Sequence, residues 1–157
     1  MDESCFIDVS KQYMASFYRM AYSIVGNQQD AEDAVQQALL NAWRSRHHAR
    51  EGAERAYIMR IVMNESYSIL RRRKRTMLLD ELNQLSAESV CPHSSELYEA
   101  IYALPVKLRS PFLLKYMEDM SEKEVAMTLK LPLSSVKNRL FRARKHLRQS
   151  LKEEETL

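Results

Sequence analysis

Glycine occurs only twice in the 157 residues, at Gly26 and Gly52, and that scarcity restricts the folds open to the chain. Ordinary usage is roughly 7%, and the tight turns of β-hairpins draw heavily on residues that tolerate positive φ. A β-rich fold is therefore not expected. Phosphate-cradling loops and dinucleotide fingerprints are excluded as well, because both need glycines a few residues apart. What remains is an all-α chain in which 45% hydrophobic residues fill one or two modest cores and 29% charged residues cover them.

Hydrophobic spacing supplies the helices. Tyr13, Phe17, Met20, Ala21 and Ile24 recur three and four apart, which predicts a helix over Phe6 to Val25. Gly26 ends it and Asn27 can cap the next. The second helix has the clearest stripe, Ala31, Ala34, Val35, Ala38, Leu39, Ala42 and Trp43, with Asp30, Glu32, Asp33, Gln36, Gln37 and Asn41 opposite. A loop over His47 to Glu54 holds Gly52. A third helix is then expected from Arg55 into a basic block, with Ile58, Ile61, Val62, Ile69 and Leu70 inward. These helices make a first domain, residues 1–75.

Thr76 to Ser95 mixes Ser, Asn, Asp, Glu and Pro around Met77, Leu78, Leu82 and Leu85. It reads as a flexible linker over 76–95 with a helical turn or two at most. Leu97, Ile101 and Leu104 open a second helical domain, residues 96–157, with Pro105 at a helix boundary. Ser121-Glu122-Lys123-Glu124 is a capping box. Lys130 to Leu133 make a turn, and Ser134 or Ser135 is expected to cap a last helix that keeps Val136, Leu140, Ala143, Leu147 and Leu151 inward.

A net charge of +3 conceals strong segregation. Arg71, Arg72, Arg73, Lys74 and Arg75 are consecutive cations. Thr76 to Val106 contains no Lys or Arg but carries Asp80, Glu81, Glu88, Glu96 and Glu99. Val125 to Lys152 contains no acid and carries Lys130, Lys137, Arg139, Arg142, Arg144, Lys145, Arg148 and Lys152. Two basic blocks around an acidic one suggest two polyanion-binding surfaces joined by an acidic tether. The acidic opening Met1-Asp2-Glu3-Ser4, with no apolar run near the roughly 18 residues of a membrane span, leads us to expect a cytoplasmic protein without signal peptide. Cys5 and Cys91 then read as reduced thiols. His47, His48 and His93 do not combine with them at the spacing of a zinc site, so no metal or cofactor is expected.

A short helix, a turn and a long basic helix make a helix-turn-helix. A helix about 10–12 Å across fits the major groove of B-DNA, about 12 Å wide. Ser135, Lys137, Asn138 and Phe141 stand near the start of the second helix, with Arg139, Arg142 and Arg144 beyond. Asn138 can read adenine, Phe141 can meet a thymine methyl, and the cations can meet phosphates.

Three blocks of the chain resemble the extracytoplasmic-function (ECF) sigma factors of bacterial RNA polymerase, in the sigma-70 family. Leu104 to Arg109, Ser121 to Ala126 and Ser135-Val136-Lys137-Asn138-Arg139-Leu140-Phe141-Arg142-Ala143-Arg144 are similar to its DNA-binding C-terminal domain. Asp30 to Trp43 is similar to the family's polymerase-binding helix. Tyr57-Ile58-Met59-Arg60-Ile61-Val62-Met63-Asn64 is similar to its helix reading the −10 element, where Trp is usual at the position of Tyr57. The resemblance implies a promoter-specificity subunit with no enzymatic activity of its own. It implies docking of Asp33, Gln36, Gln37 and Asn41 on the β′ clamp of core polymerase, and of the second domain on the β flap. It implies −10 contacts from Tyr57, Arg60, Asn64, Tyr67, Arg71 and Arg72, and more broadly phosphate contacts along Arg71 to Arg75. The −35 contacts would come from the recognition helix. An anti-sigma factor, in this family often membrane-bound, is implied as a further partner. Two rival readings stay open from the residues alone: a stand-alone helix-turn-helix regulator that binds DNA without polymerase, and a helical adaptor that binds only protein.

Overall fold

The computed structural model describes residues 1–79 and 95–155. The chain divides into two compact units, Met1–Val90 and Cys91–Leu157. Regular structure in the described residues is wholly helical: α1 Glu3–Val25, α2 Gln28–Arg44, a 3-10 turn Arg46–His48, α3 Glu54–Leu79, α4 Glu96–Ala103, α5 Val106–Tyr116, α6 Glu122–Leu129 and α7 Leu133–Glu155. The all-α expectation holds. Residues 80–94, with most of the expected acidic linker and Cys91, lie outside the described residues.

In the first unit the helix ends are written in single side chains. The Asp2 carboxylate accepts from the Cys5 N–H at 2.7 Å and starts α1 earlier than the apolar spacing alone suggested. Gly26 takes the left-handed conformation (φ 78°) and donates to the Tyr22 carbonyl, and Asn27 then accepts from the Asp30 N–H at 2.8 Å to open α2. Side-chain-free φ space at Gly26 and a capping amide at Asn27 thus reverse the chain within two residues. Ala31, Ala34, Ala38 and Ala42 are buried on α2, and their small side chains let it pack closely on its neighbours. Phe17, Met20 and Ala21 of α1 and Ile58, Met59, Val62 and Met63 of α3 complete the core. Met59 and Met63 widen the inward stripe beyond the residues read from spacing. Helix α3 also continues past Arg75 to Leu79, since the Arg, Lys, Met and Leu residues there favour helix and no Gly or Pro interrupts them.

In the second unit Pro105 caps α5, its carbonyl accepting from the Leu108 and Arg109 N–H groups at 2.9 and 2.8 Å. The capping box forms as expected: Ser121 Oγ accepts from the Glu124 N–H (3.1 Å) and Glu124 accepts from the Ser121 N–H (2.9 Å). Leu113, Leu114, Val125, Val136, Leu140 and Ala143 are buried together in the core of this unit. The turn between α6 and α7 spans Lys130 to Pro132 and is achieved without glycine. Lys130 itself is left-handed (φ 50°), and the Leu131 N–H returns to the Ala126 carbonyl at 3.0 Å. Ser134 and Ser135 do not cap α7 from outside; they lie in its first turn. The Pro132 carbonyl accepts from Ser135 and Val136 there, because a proline with fixed φ and no N–H suits helix entry.

Candidate nucleic-acid and docking surfaces

The outer face of α7 is set by its inner one. Val136, Leu140, Ala143 and Leu147 are buried, so the 3.6-residue period turns Lys137, Asn138, Phe141 and Arg142 to solvent and leaves Ser135, Arg139 and Arg144 half-buried. Phe141 is 60% exposed in the middle of this basic face. Exposure of a large aromatic ring among cations suits contact with base edges better than packing. Arg144 donates to the Tyr116 hydroxyl at 3.0 Å, which steadies α7 against the end of α5. At the start of α6, Lys115 and Glu122 pair at 2.8 Å. The Lys115 hydrogen bond holds the Glu122 carboxyl below its usual range against the opposing effect of burial, and the Lys115, Lys137 and Arg144 charges add to this.

On α3 the residues expected at the −10 element separate. Arg60, Asn64, Tyr67 and Arg71 follow each other four, three and four apart, one stripe of a helix. Asn64 and Arg71 are exposed, Arg60 and Tyr67 half-buried. Tyr57 lies one turn earlier, but its hydroxyl is committed: it sits 2.8 Å from the Ser45 carbonyl and 2.7 Å from Ser45 Oγ. This ties the start of α3 to the end of α2 and leaves only the tyrosine ring for an outside contact. The basic block does not face one way either. Arg71 is exposed and bonds Ser68 at 3.1 Å, whereas Arg73 turns inward to Asp30 Oδ2 (2.6 Å) and the Val25 carbonyl (2.8 Å). The expectation that Arg71 to Arg75 all grip phosphates is corrected at Arg73.

The intervening loop begins on a packed base. Trp43 lies edge-on to Phe6 at 5.3 Å, and the Arg46 guanidinium covers its ring at 3.8 Å. Beyond it His47 and His48 are exposed, and Gly52 takes φ 83°. Among the described residues no three His, Cys, Asp or Glu side chains converge on one point, and no helix is long and apolar enough to cross a membrane.

Asp33, Gln36 and Gln37 are exposed on α2, and Asn41 is half-buried. Asn41 donates to Glu65 of α3 at 2.8 Å and receives Gln37 at 3.2 Å. A groove of about 780 Å³ runs between these two helices, walled by Asp33 and Gln37 on one side and Glu65, Ser68, Arg72 and Thr76 on the other. Leu40 escaped the sequence reading. It is 52% exposed, three and four residues beyond Gln37 and Gln36, so this polar face carries an apolar centre. The signal was present: Leu40 falls off the alanine stripe.

A helix-turn-helix unit with a basic, aromatic-bearing outer face, together with a helical unit carrying a polar groove and a basic helix end, defines a two-domain transcription factor. Residues 10–76 match the family described as sigma-70 region 2, and residues 94–147 match sigma-70 region 4. SigV of Bacillus subtilis, an RNA polymerase sigma factor, is 30% identical over 143 residues, covering 88% of this chain and 86% of the relative. The ECF sigma factor SigW of the same organism is 27% identical, covering 97% and 91%. The ECF sigma factor SigE of Mycolicibacterium smegmatis is 31% identical over 92% of this chain, which spans 60% of that relative's length. Among solved structures, the sigma factor RpoE of Bartonella quintana in complex with the anti-sigma factor NepR is similar with a TM-score of 0.76 and 25% identity, covering 92% of this chain and 97% of that one. CnrH, in complex with the cytosolic domain of CnrY, shares the fold with a TM-score of 0.72 at 22% identity. The chain belongs to the ECF RNA polymerase sigma factors of the sigma-70 family. A stand-alone regulator would leave the region 2 match unexplained.

Proposed function

We propose that this chain brings core RNA polymerase to a particular promoter set from the cytoplasm, as a subunit without catalytic activity of its own. The observation that carries the reading is the coexistence of two outward faces: Lys137, Asn138, Phe141 and Arg142 on α7, and Asp33, Gln36 and Gln37 on α2, all exposed. The α7 face reads the −35 element. Tyr57, Arg60, Asn64, Tyr67 and Arg71 meet the −10 element, where a melted strand needs stacking rings and cations. The α2 face docks on the β′ clamp and the second unit on the β flap. Each DNA surface is weak alone. With about six phosphates neutralised, log affinity falls with log salt at a slope near −5, and polymerase supplies the effective concentration that joins the two contacts. RpoE and CnrH were each solved with a protein partner, which supports an anti-sigma factor as the regulator here.

Run-off transcription and filter binding with and without core polymerase test the proposal. Promoter-specific transcripts should appear only when both are present; tight binding of a palindrome by the chain alone would favour a stand-alone regulator. Lys137→Ala and Arg142→Ala should lower promoter use with core binding intact. Asp33→Arg should weaken core binding while the circular dichroism spectrum stays unchanged.

A further inference from the structure

Arg72 stands in a run of five cations, yet its surroundings differ from theirs. The long helix α3 places it one turn beyond Ser68 and one turn before Thr76, on the wall of the α2–α3 groove. Arg71 belongs instead to the stripe of Arg60, Asn64 and Tyr67. The adjacent Arg73 is already held by Asp30 and the Val25 carbonyl. Arg72 is held less firmly: its charge acts on Asp30, but among the described residues no hydrogen bond or close ion pair engages its side chain, and none engages Asp33 on the facing wall.

The groove is also the wrong electrostatic setting for a phosphate backbone. Asp30, Asp33 and Glu65 line it with Arg72 and Arg73, and a strand of uniform negative charge approaching Arg72 would meet those carboxylates. A polypeptide has both signs available. Gln37, Ser68 and Thr76 add neutral hydrogen-bonding groups to the lining, a pattern suited to polar side chains. Charges aligned this way select a partner by opposite placement of its own.

We propose that Arg72 is a protein-docking residue, and that the α2–α3 groove receives a segment of core polymerase presenting a carboxylate to Arg72 and a cation to Asp33. This inference rests on the reading of the α2 face as the polymerase-docking surface. It moves Arg72 out of the DNA contacts and extends the docking surface from one helix to two.

The test uses the full chain, labelled for fluorescence anisotropy and titrated with core polymerase, and separately the assembled holoenzyme capturing a promoter fork DNA. Arg72→Glu should weaken core binding about tenfold or more, and the neutral Arg72→Gln less. Arg71→Glu should leave core binding unchanged and weaken fork capture. The inference is overturned if Arg72→Glu and Arg72→Gln both leave core binding unchanged and reduce fork capture as Arg71→Glu does. Thermal melts by circular dichroism separate a docking defect from misfolding, and Arg72→Gln supplies the folded variant should the charge reversal unfold the unit. Asp33→Arg distinguishes the two levels of the argument. If it has no effect on core binding, the docking-face reading itself fails; if it weakens binding while the Arg72 variants do not, only the role given to Arg72 fails.

Discussion

Arg73 of α3 donates to Asp30 Oδ2 at 2.6 Å, and the same guanidinium reaches the Val25 carbonyl at 2.8 Å. One side chain therefore closes the end of α1 and the first turn of α2 against α3. The carbonyl is one of those a helix end leaves without an internal partner. The carboxylate sits where the α2 dipole favours negative charge. Both side chains are about 30% exposed, at 30% and 29%, so water screens the pair only partly. Arg73→Ala should lower the stability of the first unit by about 1–2 kcal/mol. Arg75→Ala, at an exposed position, should stay within about 0.5 kcal/mol. Urea midpoints of the two variants decide the matter, and equal losses would show that the contact contributes nothing.

The same pair makes stability depend on pH in one direction. Asp30 is held below the usual carboxylate range, first by the hydrogen bond from Asn27 and then by Arg73, against an opposing effect of burial. A group whose folded value is depressed stabilises the fold fully above its unfolded pKa, about 3.9 for Asp, and loses that contribution as pH falls through the folded value. Asp30→Asn should therefore be less stable than the parent at neutral pH, with the difference shrinking on acidification below about pH 4. A difference that stayed constant across this range would mean that ionisation of Asp30 plays no part.

Local signals were the legible ones. Gly26 and Asn27, the Ser121–Glu124 box and the inward stripe of Val136, Leu140 and Ala143 each act within one or two turns, and each stands where spacing placed it. The outer face of α7 could be read for the same reason, since burying one stripe exposes its opposite. The fate of Arg73 could not, because its partners stand 43 and 48 positions away and a run of like charges has no period of its own. Tyr57 is similar: only folding brings its hydroxyl to Ser45. The place of Arg72 on the groove wall was legible in part, through its phase with Ser68 and Ile69 along α3, but the groove exists only once α2 lies alongside.

Lys130 carries a conformation better suited to glycine. Its φ of 50° ends α6 and lets the chain enter α7, and the left-handed region costs a residue with a Cβ about 1–2 kcal/mol. Glycine removes that strain but gains freedom in the unfolded chain, which returns about 0.4–1 kcal/mol. Lys130→Gly should raise the stability of the helix-turn-helix unit by about 0.5–1 kcal/mol, seen as a higher urea midpoint with an unchanged slope. Lys130→Val, β-branched at the same φ, should lower it. A neutral or destabilising glycine would show that the turn is not strained.

Leu140 and Phe141 are neighbours with opposite environments: Leu140 is fully buried and Phe141 is 60% exposed. Truncating the first opens a cavity in the core of the second unit, so Leu140→Ala should cost about 2–5 kcal/mol. Phe141→Ala removes little packing and should change the melting free energy by no more than about 0.5 kcal/mol. Promoter use should fall in both, for different reasons. For Leu140→Ala the loss should follow unfolding and be recovered at lower temperature. For Phe141→Ala it should persist in a fully folded chain and be largest on promoters carrying thymine at the position proposed for the ring, because the contact proposed for it is with a base edge. Melting curves paired with run-off transcription across −35 variants check this; a Phe141→Ala protein that melts early, or that loses activity equally on every −35 sequence, would place the ring in the core or against phosphates instead.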